Sequence, residues 1–221
     1  VKCAIFYSIT SQPGLSGIDL GNFLIKQVVR ELQAEFVSIE VFSTLSPVPG
    51  FRQWLMNAIN IEGEKMLEDE ELTNLKKLEQ PDLELVKKSN EARILGELVK
   101  RKGWFDDPEL VKVLKPILMR LCAREKHRHA ALDPVANFHI RNGACVYRLN
   151  WLGDKSVKRI KESLGIMVNY NYILKDIEDN NKRYLSNYTI TISGEDPILS
   201  KEAKKSPNVR IIYENNNSSQ P

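Results

Sequence analysis

The 221-residue sequence lacks the features that mark several large classes of protein. It has no run of about 18 apolar residues, so no membrane-spanning helix is predicted in it. Its 32 basic and 29 acidic residues leave a net charge of +3, and lysine and arginine are scattered along the chain. We therefore expect neither a nucleic-acid partner nor a membrane partner. The composition, 42% hydrophobic and 28% charged, is ordinary for a globular protein with a real core.

Cysteine and histidine are both scarce, with three residues of each. The cysteines Cys3, Cys122 and Cys145 form an odd set without metal-ligand spacing, so free and mostly buried thiols are expected. Groups of His, Cys, Asp and Glu with metal spacing are missing, as are a Gly-x-Ser-x-Gly turn and a recognisable Ser–His–Asp set. The sequence therefore predicts no metal site and no hydrolase of the usual kind.

The first part of the chain has the pattern of a strand, a glycine-containing loop and an amphipathic helix. The strand is AIFYSIT (4–10), the loop carries Gly14, Gly17 and Gly21, and apolar residues then recur at helical spacing as far as Phe36. Glycine N–H groups beside a helix N-terminus can hold a phosphate. The loop matches neither G-x-G-x-x-G nor G-x-x-x-x-G-K-[ST]. The pattern alone thus leaves two alternatives, a phosphate-bearing ligand or a glycine-rich connection in an ordinary α/β domain.

A second strand is predicted at 37–45, after this helix. Strand, helix and strand over this length form a βαβ unit, in which the strands are parallel and ligands collect beyond their carboxyl ends. The loop 10–21 and the turn 46–50 both follow such ends. We therefore expect these two segments to be neighbours in space.

The rest of the chain is predicted to mix helices with strands. Leu, Lys and Glu recur at helical periods over about 61–121, which indicates a helical insertion with an exposed acidic face at 68–71. A helix is predicted over 51–59, and turns are predicted at 133–134 and 142–143. Strands are predicted at 144–149, at 166–174 with Tyr170 and Tyr172 on one side, and over a short stretch at 189–192. The pattern weakens after Leu185, so we divide the chain into a main domain, 1–185, and a divergent C-terminal segment, 186–221, with a disordered tail.

Two residues stand out as candidates for chemistry. Ser46 follows a predicted strand and precedes the rigid turn 47–49, so it is either a preorganised catalytic serine or a serine that caps the turn. His139 has apolar neighbours, so it is either a buried core histidine or the best general acid or base in the chain. Asn137, two residues earlier, is a candidate to orient it or to bind a carbonyl oxygen. His127 and His129 lie in a charged segment and are predicted to be surface residues.

Several stretches together resemble the catalytic half of the malonyl-CoA decarboxylases. They are AIFYSIT, GLSGIDLGNFLIKQVVRELQAEF, VFSTLSPVPGF, PILMRLCA, EKHR, ALDPVANFHIRNGA, RLNW and GIMVNYNY. The resemblance is nearly continuous over 3–55 and 116–185, looser between them and absent after Leu185. It implies a mixed α/β fold of the GNAT-like acetyltransferase type, with 1–185 as the catalytic domain and about 61–121 as its helical insertion.

The resemblance also implies a set of site residues. The family's catalytic serine falls on Ser46, its catalytic histidine on His139 and its active-site tyrosine on Tyr172. The serine is assigned there as proton acceptor and the histidine as proton donor to the carbanion, and both also contact the CoA substrate. The family's phosphate loop, which wraps the CoA pyrophosphate, falls on Ser16, Gly17, Ile18, Asp19, Leu20, Gly21 and Asn22. Asp19 stands where the family carries a glutamate.

The activity implied is that of a carboxy-lyase, which converts malonyl-CoA to acetyl-CoA and CO2 and so controls the malonyl-CoA level in fatty acid metabolism. The thioester delocalises the charge that forms, so no cofactor is expected beyond the CoA of the substrate itself. Two alternatives stay open: a truncated, weakly active or inactive CoA-binding remnant of that enzyme, and an acetyltransferase on the same fold.

The resemblance also implies an oligomeric state and a cellular location. Family members carry an upstream helical domain with oligomer contacts, so a homo-oligomer is implied for the full-length protein. A mitochondrial, peroxisomal or cytoplasmic location is implied in the same way, and the given sequence itself shows no targeting signal. The sequence begins Val1-Lys2-Cys3, without methionine and directly on a strand, so we expect it to be a fragment.

Overall fold

A seven-stranded mixed sheet lies at the centre of the computed structural model, which describes residues 2–7, 20–78, 90–126 and 133–213. The strands are β1 Cys3–Phe6, β2 Val41–Thr44, β3 Ser46–Pro47, β4 Cys145–Asn150, β5 Met167–Asn171, β6 Ile190–Ser193 and β7 Val209–Ile212. Their order is β1-β2-β5-β4-β6-β7, and β3 pairs with β5 beyond the end of β2. The mixed α/β class predicted from the sequence is confirmed.

Helices pack around this sheet and build the region between β3 and β4. They are α1 Leu20–Glu35, α2 Phe51–Glu62, α3 Asp69–Lys76, α4 Glu91–Leu98, α5 Pro108–Lys126, α6 Pro134–Arg141, α7 Val157–Ser163, α8 Ile177–Asn187 and α9 Pro197–Ala203. Several of them begin at a side chain that accepts a backbone N–H of the first turn, the usual N-cap arrangement. These caps include Asn90, Asp107, Asp133, Ser156 and Asp196. None of the helices in the described ranges has the length and apolar character needed to cross a bilayer.

The βαβ unit predicted at the start of the chain is present. β1 and β2 pair in parallel with α1 between them in sequence, and Phe6 lies opposite Thr44 at their carboxyl ends. The Leu45 N–H donates to the Phe6 carbonyl at 3.4 Å, so the two strand ends stay together. The loop at 8–19 lies outside the described residues, and its proximity to the turn 46–50 stays a prediction.

The pairing of β2 with β5 is interrupted one residue before Ser46. Ser43 faces Asn171 and Ser46 faces Val168, so β2 and β3 share one antiparallel register on β5. Side chains take part in the hydrogen bonding between these two pairs. The hydroxyl of Thr44 accepts the backbone N–H of residue 170 at 3.1 Å, and its carbonyl accepts the side-chain amide of residue 169 at 2.5 Å. This break brings two side-chain hydroxyls, those of residues 44 and 46, next to each other inside the fold.

The described part of the region predicted as an insertion is helical and well packed. Trp104 is buried and lies edge-to-face with Trp151, with the ring centroids 5.9 Å apart, which joins this region to the loop after β4. The exposed acidic face predicted at 68–71 is wrong for Glu71, which is buried against Arg120 in a bidentate ion pair. That partner is 49 positions away in sequence, so no local pattern could indicate it.

The sheet continues past residue 185, where the sequence pattern weakened. β6 pairs in parallel with both β4 and β7, and α9 lies between β6 and β7 in sequence. Residues of this segment belong to the hydrophobic core, among them Ile190, Ile192 and Leu199. The described residues after 185 therefore add β6 and β7 to the same sheet, and residues 214–221 lie outside the described part.

The cysteines agree with the prediction made from their number. All three are free thiols, with Cys122 and Cys145 buried and Cys3 exposed. A search of the described residues for groups of three or more His, Cys, Asp or Glu that could hold a metal ion finds none.

Candidate active site

Ser46 and His139 meet inside the protein, although 93 positions separate them in sequence. The Ser46 Oγ lies 3.3 Å from His139 Nε2. Both side chains are buried, with 6% and 5% of their surface exposed. The serine hydroxyl contacts the histidine and a neighbouring threonine, which is not the arrangement of a turn cap. A hydroxyl beside an imidazole in a buried setting is an arrangement that can hold and transfer a proton.

A short helix, α6, positions the histidine. Asp133 accepts the N–H of Ala136 at 2.7 Å and Pro134 occupies the first turn, so the helix start is fixed locally. Ala136, His139 and Ile140 form the buried side of the helix, as the spacing of three and four residues requires. The sequence predicted turns at 133–134 and 142–143, and the structure places two helical turns between them.

Tyr172 holds the other nitrogen of the ring. Its hydroxyl oxygen lies 2.8 Å from His139 Nδ1, and its backbone N–H donates to the Phe42 carbonyl at 2.8 Å. The imidazole also stacks on the ring of Tyr170, with centroids 4.8 Å apart and an angle of 23° between the planes. Both tyrosines face His139 because they lie two positions apart at the end of β5, as the alternation in the sequence predicted.

Burial sets the protonation of these groups. Removal from water disfavours the charged imidazolium and lowers the pKa of His139 to about 4, so the ring is neutral near pH 7. Burial likewise raises the pKa of the Tyr172 phenol, so its hydroxyl keeps its hydrogen. The free protein therefore has an uncharged histidine between two hydroxyl groups.

Thr44 also contacts this group of side chains, and the sequence did not indicate it. Its Oγ1 lies 2.9 Å from the Ser46 Oγ, and only 1% of the residue is exposed. A threonine near the end of a strand is ordinary, and its role depends on the pairing of β2 with β5, which brings residues far apart in sequence together. The one feature of the sequence that could have pointed to Thr44 was its position two residues before Ser46.

Helix α8 fixes the position of α6 from the side away from the reacting groups. Three of its residues donate hydrogen bonds to the segment 137–143. Asn180 reaches the Gly143 carbonyl at 3.1 Å, Asn181 reaches the Arg141 carbonyl at 2.5 Å, and the Tyr184 hydroxyl reaches the side-chain oxygen of residue 137 at 2.8 Å. The amide of Asn137 was a candidate for orienting His139 directly, and the structure places it in this contact between helices instead.

The predicted phosphate loop is only partly described. Ser16, Gly17, Ile18 and Asp19 lie outside the described residues, as do His127 and His129. Leu20, Gly21 and Asn22 form the first turn of α1. The helix N-terminus expected beside the loop is thus present, and its role in phosphate binding stays a prediction.

Comparison with solved structures first defines the class of fold. The chain is similar to the crystal structure of malonyl-CoA decarboxylase from Rhodopseudomonas palustris, with a TM-score of 0.71 and 38% sequence identity. The match covers 90% of this chain and 42% of that one. The C-terminal domain of such structures has a GNAT-like fold, so the fold predicted from the resemblance is confirmed.

Sequence comparison then gives the family. A family model described as "Malonyl-CoA decarboxylase C-terminal domain" matches residues 1–208, so the expectation that the resemblance is absent after Leu185 is wrong. Two curated relatives, both named "Malonyl-CoA decarboxylase, mitochondrial", are 43% identical in Anser anser anser over 87% of this chain and 41% identical in Mus musculus over 96% of it. The chain belongs to the malonyl-CoA decarboxylase family. It spans 39% and 43% of the length of these two relatives, and the matching domain is the C-terminal one.

Proposed function

We propose that this chain carries the site at which malonyl-CoA is decarboxylated to acetyl-CoA and CO2. The observation that carries the proposal is the buried contact of Ser46, His139 and Tyr172 in a chain of the malonyl-CoA decarboxylase family.

The decarboxylation requires little covalent chemistry from the protein. The bond between the carboxylate carbon and the α-carbon breaks, CO2 leaves, and the electron pair passes into the thioester to give the enolate of acetyl-CoA. The α-carbon then takes one proton. Because the thioester itself accepts the electron pair, the protein has to orient the carboxylate, stabilise the oxygen charge and supply the proton. We therefore propose that no cofactor takes part beyond the CoA portion of the substrate.

Ser46 and His139 divide these tasks. The serine hydroxyl donates to the departing carboxylate and holds the breaking bond out of the thioester plane, so that the electron pair overlaps with the carbonyl. The negative charge of the bound carboxylate favours the protonated form of the nearby imidazole and offsets the effect of burial. His139 thus takes a proton from solvent as substrate binds and gives it to the α-carbon after CO2 has left. Tyr172 keeps the ring in place through Nδ1.

The binding of the CoA portion is assigned to residues 16–22 at the start of α1. The carboxyl ends of β1 and β2 lie side by side, with Phe6 opposite Thr44, so the chain leaves β1 at the edge of the sheet where Ser46 lies. A phosphate held by the N–H groups at the helix start is favoured by the helix dipole. This arrangement supports a substrate that spans from a pyrophosphate at α1 to a malonyl group at Ser46 and His139.

Location and assembly are proposed from the relatives. The two curated relatives are named as mitochondrial proteins, and we extend a mitochondrial location to the protein that contains this chain. A peroxisomal or cytoplasmic location and a homo-oligomer of the full-length protein stay predictions from the resemblance.

The test is to incubate the pure chain with malonyl-CoA and to follow acetyl-CoA and CO2 together. Equimolar formation of both products supports the proposal. Binding of CoA without release of CO2 contradicts it and identifies a CoA-binding remnant. Transfer of an acetyl group from acetyl-CoA to an added amine, again without CO2, identifies an acetyltransferase instead.

A further inference from the structure

We propose that Thr44 is a positioning residue of this site: its hydroxyl accepts the hydrogen of Ser46, fixes the direction of the hydrogen bonds through His139 and keeps the histidine proton on Nε2. The catalytic consequence rests on the proposed decarboxylase function. The direction of the hydrogen bonds does not rest on that function, because it is a property of the free protein and can be measured without substrate.

The direction is set at one end by Tyr172. Its side chain is 2% exposed, and its hydroxyl oxygen lies 2.8 Å from His139 Nδ1. A buried hydroxyl that finds no acceptor costs about 1–3 kcal/mol, so the phenol hydrogen is expected to point at this nitrogen. A neutral imidazole has one donor and one acceptor nitrogen. If Nδ1 accepts, the proton of His139 is on Nε2.

Ser46 carries the same direction forward. The Nε2–H has the Ser46 oxygen as its acceptor at 3.3 Å. A serine hydroxyl that accepts in this way sends its own hydrogen to a second partner, and the second contact is Thr44 Oγ1 at 2.9 Å. This contact is the shorter of the two, as expected for the bond to which the hydroxyl hydrogen points.

Thr44 ends the chain because β5 holds it on two sides. The backbone N–H of Tyr170, which can only donate, contacts Oγ1 at 3.1 Å. The side-chain amide of Asn169 donates to the Thr44 carbonyl at 2.5 Å. These contacts keep the threonine oxygen turned toward Ser46, and the residue is too deeply buried for bulk water to replace it.

Removal of the threonine hydroxyl therefore has a specific consequence. Thr44→Val keeps the branched shape of the side chain and deletes the acceptor. The only acceptor that the described residues then leave in contact with the Ser46 hydroxyl hydrogen is His139 Nε2. The serine therefore donates to the histidine instead of accepting from it, and the histidine proton moves to Nδ1. Thr44→Ser restores the hydroxyl and is expected to restore the original direction.

The experiment measures the tautomer of His139 in the free, full 221-residue chain by ¹⁵N NMR of the imidazole nitrogens. The sequence has three histidines, and a His139→Gln variant identifies the signals of this one. At about pH 7.5 we expect the Nε2–H tautomer in the unaltered chain and in Thr44→Ser, and a shift toward the Nδ1–H tautomer in Thr44→Val. The matched control is Ser43→Ala, since Ser43 is a buried neighbour whose hydroxyl contacts only the Thr44 carbonyl among its described partners, at 3.4 Å.

The kinetic arm uses the same variants with malonyl-CoA as substrate. Thr44→Val is expected to lower kcat by about 10-fold or more with little change in KM, because Nε2 then has to give up its hydrogen bond from the serine hydroxyl before it can take up the proton for the α-carbon, while the binding groups are intact. Thr44→Ser and Ser43→Ala are expected to stay within about 3-fold of the unaltered chain.

Each outcome decides one of the two proposals. An Nδ1–H tautomer in the unaltered chain overturns the role of Thr44, and this result needs no variant to fold. The same tautomer in the unaltered chain and in a folded Thr44→Val overturns it equally. If the tautomer shifts as expected and the unaltered chain releases no CO2, the positioning role stands and the proposed decarboxylase function fails.

Discussion

The hydroxyl oxygen of Tyr172 lies 2.8 Å from Nδ1 of His139, and the hydroxyl oxygen of Ser46 lies 3.3 Å from Nε2 of the same ring. The imidazole is thus held at both nitrogens, and the ring of Tyr170 covers one of its faces. A ring fixed in this way loses little freedom when it transfers a proton, which is the benefit of a preorganised site.

Tyr172→Phe tests the contact at Nδ1 alone. The variant keeps the ring, including its edge-to-face contact with Phe6, whose centroid lies 6.4 Å away. The loss of one hydrogen bond to the histidine is expected to lower kcat by about 10-fold, since an unmade buried hydrogen bond costs about 1–3 kcal/mol. Steady-state kinetics with malonyl-CoA measure the effect. Unchanged turnover in a folded variant would show that His139 does not depend on this contact.

The pH dependence of folding reports on the burial of His139. Its pKa is lowered from 6.5 to about 4 in the folded state, so between these values the unfolded chain binds a proton that the folded chain does not. Stability therefore rises with pH across this window and is lost as pH falls below the unfolded value. The contribution amounts to about 2 kcal/mol between about pH 7.5 and about pH 5.

Urea unfolding at these two pH values, with His139→Gln as the comparison, measures this contribution. The unaltered chain is expected to lose about 2 kcal/mol more than the variant on acidification. An equal loss in both proteins would mean that the imidazole is solvated in the folded state.

Gly143→Ala tests the contact that sets the end of α6. Gly143 has a φ of +83°, and an added Cβ would collide with the backbone carbonyl of Ile177 at the start of α8. The substitution therefore has to push α6 away from α8, and we expect a loss of about 3 kcal/mol of stability together with a lower kcat.

Gly103→Ala is the matched control for this substitution. Its φ of +74° is equally unfavourable for alanine, but nothing lies within 4 Å of the added Cβ. The expected cost is about 1–2 kcal/mol from the backbone alone, with no change in kcat. Equal effects of the two substitutions on stability and kcat would contradict a role of the α6–α8 contact in the site.

Arg120→Met tests the ion pair that joins α3 to α5. Glu71 is 8% exposed and would keep a buried carboxylate without its guanidinium partner, so a loss of about 3–5 kcal/mol is expected. Lys100→Ala removes the exposed pair with Glu97, whose atoms lie 2.6 Å apart, and should cost less than about 1 kcal/mol. Denaturant unfolding of both variants measures the difference, and similar small losses would contradict the buried character of the first pair.

Periodicity and turn residues in the sequence predicted the secondary-structure elements that depend only on neighbouring residues. The βαβ start, the helix that begins at Phe51 and the tyrosines on one side of β5 follow from periodicity and turn residues. The approach of Ser46 to His139 does not follow from local patterns, because it requires β3 to pair with β5 and α6 to pack against the sheet. The resemblance to a family supplied these two residues together, which spacing alone could not.

The features that were missed all depend on distant partners. Glu71 lies in an acidic run that looks exposed until Arg120 is known to reach it. Thr44 gains its role from the interruption between β2 and β3. The strand β7 is four residues long, and its place in the sheet depends on parallel pairing with β6, which leaves little trace in so short a sequence.

The proposed decarboxylation of malonyl-CoA by Ser46 and His139 is tested by the rate of CO2 release from malonyl-CoA under saturating substrate. The unaltered chain is expected to release CO2 with an equal amount of acetyl-CoA, and Ser43→Ala to keep that rate within about 3-fold. His139→Ala is expected to lower turnover by about 10²–10⁴-fold, the range typical of one general acid, with Ser46→Ala reduced as well. Full CO2 release by a folded His139→Ala variant, or none by the unaltered chain, would contradict the account.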